Sequence, residues 1–305
     1  MTKVRVGAYT LTLSNTDKIL FPEHNYTKGD VLHYYAKIAE YMLPFLKNRP
    51  LAMERYPNGI HGESFYQKDA SPFFPSWIKT HAVEKKEGGD TKYIICQNKA
   101  TLLYIANLAC ITPHLWLSKL PRLEYPDKLI FDLDPSPEVT FPQIIDTAFK
   151  FRDLLLSLSL RPYIMTTGSK GLHVVIPLDR FFTFEAVETF AQGCAQLLIR
   201  TNQELLTTDI RKVKRKGKIF IDTLRNQFGS LAVAPYAIRA KPGAPIATPV
   251  IWDELNIKGF TSQQYTLANI FDRMASIQNP WPDFFNKPQS LKTAHKLLIK
   301  LLNKY

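Results

Sequence analysis

Lys128-Leu129-Ile130-Phe131-Asp132-Leu133-Asp134-Pro135 is an apolar run that ends in two acids and a proline. The run predicts a buried strand, and its polar, proline-bearing end predicts that the strand stops at a surface. Asp132 and Asp134 lie two apart, so both side chains project from one face, with Cα atoms about 6.5 Å apart. Carboxylates so placed can share a pair of divalent cations. In phosphoryl transfer such cations sit about 3.5–4 Å apart and stabilise the attacking and leaving oxygens. By itself, D-x-D is also a strand end capped by exposed acids.

Downstream, residues 141–160 read as a helix, 161–167 and 172–178 as strands, 184–203 as a helix and 218–222 as a strand. With 128–135, this order predicts a split βαβ unit. If its first and last strands pair, Asp222 adds a third carboxylate to a cradle of hard oxygen ligands suited to magnesium or manganese. Alone, Asp222 is equally a turn residue. Between two of the strands, Thr166-Thr167-Gly168-Ser169-Lys170-Gly171-Leu172-His173 offers glycines, hydroxyls, a lysine and a histidine. Backbone N–H groups and Lys170 there suit a triphosphate, although the spacing is not that of a Walker A loop and a polar hairpin tip fits too. Arg211 to Lys218 holds six basic residues in eight and leads into the Asp222 strand; Arg225 and Arg239 follow. Guanidinium groups around carboxylates make sense if a triphosphate lies between them.

Upstream, residues 4–13 read as a strand. Thr27-Lys28-Gly29-Asp30 has the form of a capping box, and apolar spacing extends a helix over 28–47. Pro57-Asn58-Gly59 signals a turn, and Lys86-Glu87-Gly88-Gly89-Asp90 a hairpin tip. Residues 99–110 read as a second helix. The proline-bearing stretch 121–126 marks a boundary between an N-terminal subdomain, 1–120, and a catalytic subdomain, 121–305, in one two-lobed unit. No internal repeat is present.

The chain has 305 residues, is 45% hydrophobic and 22% charged, and carries a net charge of +12. It is long enough for a large core, and its composition argues against disorder. The charge suggests a polyanionic partner. Cys96, Cys110 and Cys194 are widely spaced, with no C-x-x-C, which indicates neither a disulfide framework nor a zinc knuckle. With no signal-like or membrane-spanning apolar run, a cytoplasmic, nucleoid-associated protein with no membrane partner is expected, and nucleic acid is the expected polyanion.

Phe131 to Pro135, Thr167 to His173, Ile221-Asp222 and Val233 to Ala240 together resemble the polymerase domain of bacterial DNA ligase D, in the archaeo-eukaryotic primase superfamily. Leu20-Phe21-Pro22, Thr27 to Asp30, Arg55 to Gly59 and Pro245 to Leu255 extend the resemblance over residues 10–285. It implies an α+β, archaeo-eukaryotic primase-like fold. An RRM-like split βαβ catalytic module with antiparallel and mixed sheets would sit beside an N-terminal α/β subdomain. It also implies a nucleotidyltransferase that adds nucleotides, preferably ribonucleotides, at DNA ends and gaps in non-homologous end joining. Two manganese or magnesium ions per site and nucleoside triphosphates would serve the reaction. DNA ends with a 5′-phosphate, the Ku protein and a fused or separate DNA ligase would be the partners. By motif, Asp132, Asp134 and Asp222 would bind metal. His114, Thr167, Ser169, Lys170, His173, Arg225 and Arg239 would hold the nucleotide. Asn15, Lys18 and Lys28 would take the 5′-phosphate, while Arg55, Phe65, Tyr66 and Arg215 would meet template or DNA.

Three positions depart from that pattern. Thr167 stands where the family has serine, Tyr66 where it usually has phenylalanine, and Glu54 where at least some members have lysine. Of these, only Glu54 is expected to weaken the grip on phosphate or DNA. Two other readings compete. A haloacid-dehalogenase-type phosphatase is partly imitated by Phe131 to Ser136, but Ser136 lies one residue beyond the required place. A non-catalytic end-binding module is disfavoured by three acids that would repel phosphate unless metal neutralised them.

Overall fold

The computed structural model describes residues 1–305 other than Lys86, Gln278 and Tyr305. The chain divides into two compact units: residues 1–121, 231–247 and 265–270 form one, and 122–230, 248–264 and 271–305 the other. The break after 121 adjoins the boundary read from the sequence. Residues 231–247 and 265–270, placed from sequence with the C-terminal part, fold with the N-terminal unit. The reason is local: the strand Leu231–Val233 pairs with Cys110–Trp116, and Thr112 donates its hydroxyl hydrogen to the Ile238 carbonyl at 2.8 Å.

In the second unit, Lys128–Pro135 is the third strand of a six-stranded sheet. The order is Leu206–Thr207, Ile219–Asp222, Lys128–Pro135, Leu172–Pro177, Tyr163–Thr166, Pro249–Val250. All neighbours are antiparallel except the first pair. Alternation along the central strand separates its two faces. Phe131 points to one face, where its ring lies 4.5 Å from that of Phe151 on the helix Phe141–Ser157, both rings fully buried. The helix Phe184–Arg200 packs beside it. Asp132 and Asp134 therefore point to the other face. Each helix starts on a threonine: Thr140 forms a capping box with Gln143, and the Thr183 hydroxyl accepts from the Ala186 N–H.

The first unit carries another six-stranded sheet. Leu231–Val233, Cys110–Trp116, Pro50–Arg55, Asp90–Ile95 and Thr80–Glu84 run in that order, and Phe65–Gln67 pairs with the end of Pro50–Arg55. The helices Lys28–Leu46 and Lys99–Asn107 pack on each other. Three expectations shift here. Residues 4–13 form a hairpin, Thr2–Val6 and Tyr9–Leu13, turned at Gly7, whose φ is +59°. The helix expected over 99–110 ends at Asn107. Ala109 is left-handed at φ +59°, and Cys110 opens a strand whose β-branched residues suit a sheet. In the expected hairpin tip, Lys86 lies outside the described residues, while the Lys85 N–H donates to the Gly89 carbonyl at 2.8 Å. Among the described residues, no helix is long and apolar enough to cross a membrane.

One contact fixes how the glycine-bearing loop meets the central strand. A Cβ built on Gly171 would lie 1.9 Å from the Leu133 carbonyl oxygen, so only glycine allows this approach. Gly171→Ala should destabilise the protein by about 2–4 kcal/mol. Denaturant unfolding measures this, and an unchanged midpoint would contradict the close approach.

Candidate active site and nucleic-acid interface

The sheet of the second unit lines up three chemically active side chains. Asp132 is the register partner of Asp222 on one side and of His173 on the other, so all three share a face. Asp134, two residues on, shares it too. His173 Nε2 lies 3.4 Å from Asp132 Oδ1. Arg225 Nε lies 3.1 Å from Asp132 Oδ2 and 3.2 Å from Asp222 Oδ2. Asn226 explains that placement. Its side chain is fully buried; it accepts from the Ile130 N–H at 2.9 Å and donates to the Ile130 carbonyl at 2.8 Å, as a neighbouring strand would. The short 3₁₀ turn Leu224–Asn226 is thereby fixed to the central strand, and Arg225 is held over the acids.

Among the described residues, no group of three or more His, Cys, Asp or Glu side chains is arranged to hold a metal ion as it stands. The fit to a cation rests on charge. Burial alone would raise the Asp132 pKa, but His173 and Arg225 outweigh it and hold the carboxyl at about 2. Asp134 and Asp222 go the other way. Burial raises both, the charge of Asp132 adds to the rise, and nearby arginines offset only part of it. Arg215, Lys170 and Arg225 offset only part of the cost of ionising Asp134, and hard carboxylate oxygens gathered on one face suit a divalent cation.

The loop after Tyr163–Thr166 is closed from within. The Thr167 hydroxyl accepts from the Ser169 and Gly171 N–H groups, both at 3.2 Å, and lies 3.0 Å from the Gly171 carbonyl. Ser262 donates to that carbonyl at 2.7 Å and meets the Thr167 hydroxyl at 3.2 Å. Thr167 therefore shapes the loop from a buried position, while Lys170 at its tip is exposed. In the basic run, Asp209 grips Arg211 with both oxygens, at 3.0 and 2.8 Å. Arg215 donates to the Asp209 and Ile210 carbonyls and lies over the Phe220 ring at 3.5 Å. Phe220 is the register partner of Asp134, so the guanidinium stands beside the acids.

The first unit carries a separate group of cations. Lys28 is only 5% exposed. Burial lowers its pKa, and the charges of Lys18 and Arg55 add to that. Lys18 donates to Asn58 Oδ1 at 2.9 Å, Lys28 to the Ser14 hydroxyl at 3.4 Å, and Asn15 is left-handed at φ +50°. Lys28 opens the helix Lys28–Leu46, but the first-turn amides are already engaged. The N–H groups of Lys28, Gly29 and Asp30 donate to the Lys18 carbonyl, the Thr16 carbonyl and the Thr27 hydroxyl. An anion here meets side chains and not free helix amides. Arg55 also holds structure: it donates to the Leu108 carbonyl and to Gln67, both at 2.7 Å, and lies over Phe65. Phe65 and Tyr66 are 46% and 52% exposed. Glu54 joins His114 at 3.0 Å and Tyr56 at 2.6 Å, and the charge of Arg239 helps to keep its carboxyl ionised.

A family model for the LigD, primase-polymerase domain matches residues 27–281. The chain belongs to this family. Three comparisons show how closely it follows other members. It is 33% identical over 250 residues to the multifunctional non-homologous end joining protein LigD of Mycolicibacterium smegmatis, covering 80% of this chain and 32% of that protein. With the bifunctional LigD of Bacillus subtilis it shares 30% identity over 280 residues, covering 92% and 45%. The solved polymerase domain of Mycobacterium tuberculosis ligase D, in complex with DNA, superposes with a TM-score of 0.83 at 32% identity, over 88% of this chain and 95% of that one. The chain thus spans less than half the length of the curated relatives.

In this primase-polymerase domain, several residues that shape the site carry no motif. Asn226, Ser262 and Tyr56 act through contacts made in space, and only the adjacency of Asn226 to Arg225 hints at its part. The electrostatics lead to a stability test. Asp132 has a depressed folded pKa, so it stabilises the fold above its unfolded value and loses that effect as pH falls through about 2. Asp134 has a raised folded pKa, so its ionised form is disfavoured at neutral pH and relieved on acidification. Asp134→Asn should therefore raise the thermal midpoint at neutral pH, with the gain fading in acid. Manganese should stabilise the wild type more than this variant. A lower midpoint at neutral pH would contradict the charge account.

Proposed function

We propose that this chain is a template-directed nucleotidyltransferase that adds nucleotides, ribonucleotides by preference, at DNA ends and gaps during repair by non-homologous end joining. The observation that carries the reading is the single row Asp222–Asp132–His173 with Asp134 on the same face, flanked by Arg225 and Arg215. Family membership supports it, as does the likeness to a polymerase domain solved with DNA.

Asp132, Asp134 and Asp222 would hold two divalent ions, manganese or magnesium. When bound, these supply charge neutralisation for the attacking and leaving oxygens. Lys170, Ser169, His173 and Arg225 would meet the triphosphate, with Thr167 shaping the loop that presents them. His114 and Arg239 are the further residues we assign to the nucleotide. Arg225 already bonds to carboxylates, and the oxygens of a triphosphate would accept the same charge-assisted hydrogen bonds. Phe65 and Tyr66 expose faces on which a template base can stack. Arg55 sets Phe65 in place, and Arg215 would follow the DNA. Asn15, Lys18 and Lys28 would receive the 5′-phosphate of the downstream strand. DNA ends, Ku and a ligase would be the partners, in the cytoplasm at the nucleoid.

Asp132→Ala or Asp134→Ala should abolish nucleotide addition and leave DNA binding nearly intact, since each removes a carboxylate from a site usually worth several kcal/mol in the transition state. Primer extension with labelled nucleotide and a parallel binding assay test this. Activity above about a tenth of wild type in either variant would remove the metal assignment.

The phosphate pocket has its own test. Gapped duplexes with and without a 5′-phosphate should differ in affinity by about 1.5–3 kcal/mol for the wild type. The Lys18→Ala, Lys28→Ala double variant should bind both alike. A wild type indifferent to the phosphate would eliminate the pocket without touching the acids.

A further inference from the structure

Glu54, His114 and Tyr66 sit on three neighbouring strands of one sheet. Glu54 is directly opposite Tyr66, and opposite Thr112 on its other side, so His114 is its diagonal neighbour on the same face. The carboxylate is held at both ends. Tyr56 donates its phenol hydrogen to Oε1 at 2.6 Å, and Oε2 lies 3.0 Å from His114 Nε2. Burial raises the Glu54 pKa, but His114, Tyr56 and Arg239 together lower it, so the group is ionised. An ionised carboxylate only accepts hydrogen bonds, so the proton between these atoms belongs to His114 Nε2. The Tyr66 phenol oxygen approaches the same nitrogen at 3.4 Å, and its ring meets the imidazole edge-on at 5.3 Å. One carboxylate thus sits behind a buried histidine, and an exposed aromatic ring leans on that histidine.

We propose that Glu54 is a positioning residue that fixes the His114 proton on Nε2 and locks the imidazole in one orientation, with Tyr66 seated on the locked ring. The inference deepens the proposed function, since it rests on His114 meeting the nucleotide and Tyr66 the template base. A charge that would repel phosphate directly is instead spent on a histidine and a tyrosine. It sets, through one ring, both a group for the nucleotide and a surface for the template.

The test uses the full chain with ¹⁵N-labelled histidine at about pH 8, where a neutral ring reports its tautomer. Long-range nitrogen–proton correlations, assigned with His114→Gln, should show Nε2 protonated in the wild type. Glu54→Ala should shift the His114 signals towards the other tautomer and raise the nucleotide KM about tenfold, with a smaller change in kcat. Glu54→Gln, whose amide oxygen still accepts from Nε2, should keep the tautomer and recover most of the KM. Wild-type Nε2 without a proton, or His114 signals unmoved in Glu54→Ala, would overturn the proposal. Signals that shift with no change in KM would support the positioning role and instead refute the nucleotide role of His114.

Discussion

The antiparallel register that sets Asp132 against Asp222 on one side and His173 on the other is the constraint on which the site depends. Slipping either pairing by one residue would turn Asp222 or His173 to the opposite face, among the helices. The register is held at two points. Gly171 lets the loop come down on the Leu133 carbonyl, where any side chain would collide. Asn226 bonds both backbone groups of Ile130 and so extends the pairing beyond the last residue of the strand. Arg225 then lands over the acids because it is tied to a turn so anchored.

The cost of that arrangement is visible in the acids themselves. Burial raises the pKa values of Asp134 and Asp222, and repulsion from Asp132 on the same face adds to the rise. Arg225 and His173 settle the charge of Asp132, while burial keeps Asp134 and Asp222 costly to ionise. Buried carboxylates with raised pKa values gain from a nearby cation, and the same burial makes them a weak point of the folded state. Lys28, Lys18 and Arg55 show the inverse in the other unit: cations crowded together, one of them nearly buried, and suited to an anion.

Much of this was legible in the sequence because the elements are local. The apolar run ending at Asp134, the helices opened by Thr27, Thr140 and Thr183, and the strand ending at Asp222 all carry their own signals. What the sequence did not disclose depends on partners far apart in the chain. Leu231–Val233 is too short to show periodicity, so its return to the N-terminal unit was not readable. The helix ending at Asn107 was overextended because Ala109 has no residue type that announces a left-handed conformation. The carbonyls of residues 16 and 18 fold back onto the helix amides of Lys28 and Gly29, contacts that no local motif announces. Glu54 was read as an obstacle to phosphate, since neither of its two bonded partners, Tyr56 and the distant His114, is marked in the sequence as a carboxylate's neighbour.

The motifs Phe131 to Pro135, Thr167 to His173 and Ile221-Asp222, far apart in sequence, meet in one sheet. The central claim is that this sheet face directs nucleotide addition by a template, with help from divalent ions. Single-turnover addition to a recessed DNA end tests it most directly, with each nucleotide offered opposite each template base and manganese either supplied or chelated. The account predicts that only the complementary nucleotide is added, and only with the metal present. Addition that ignores the template base, or that persists under chelation, would contradict it.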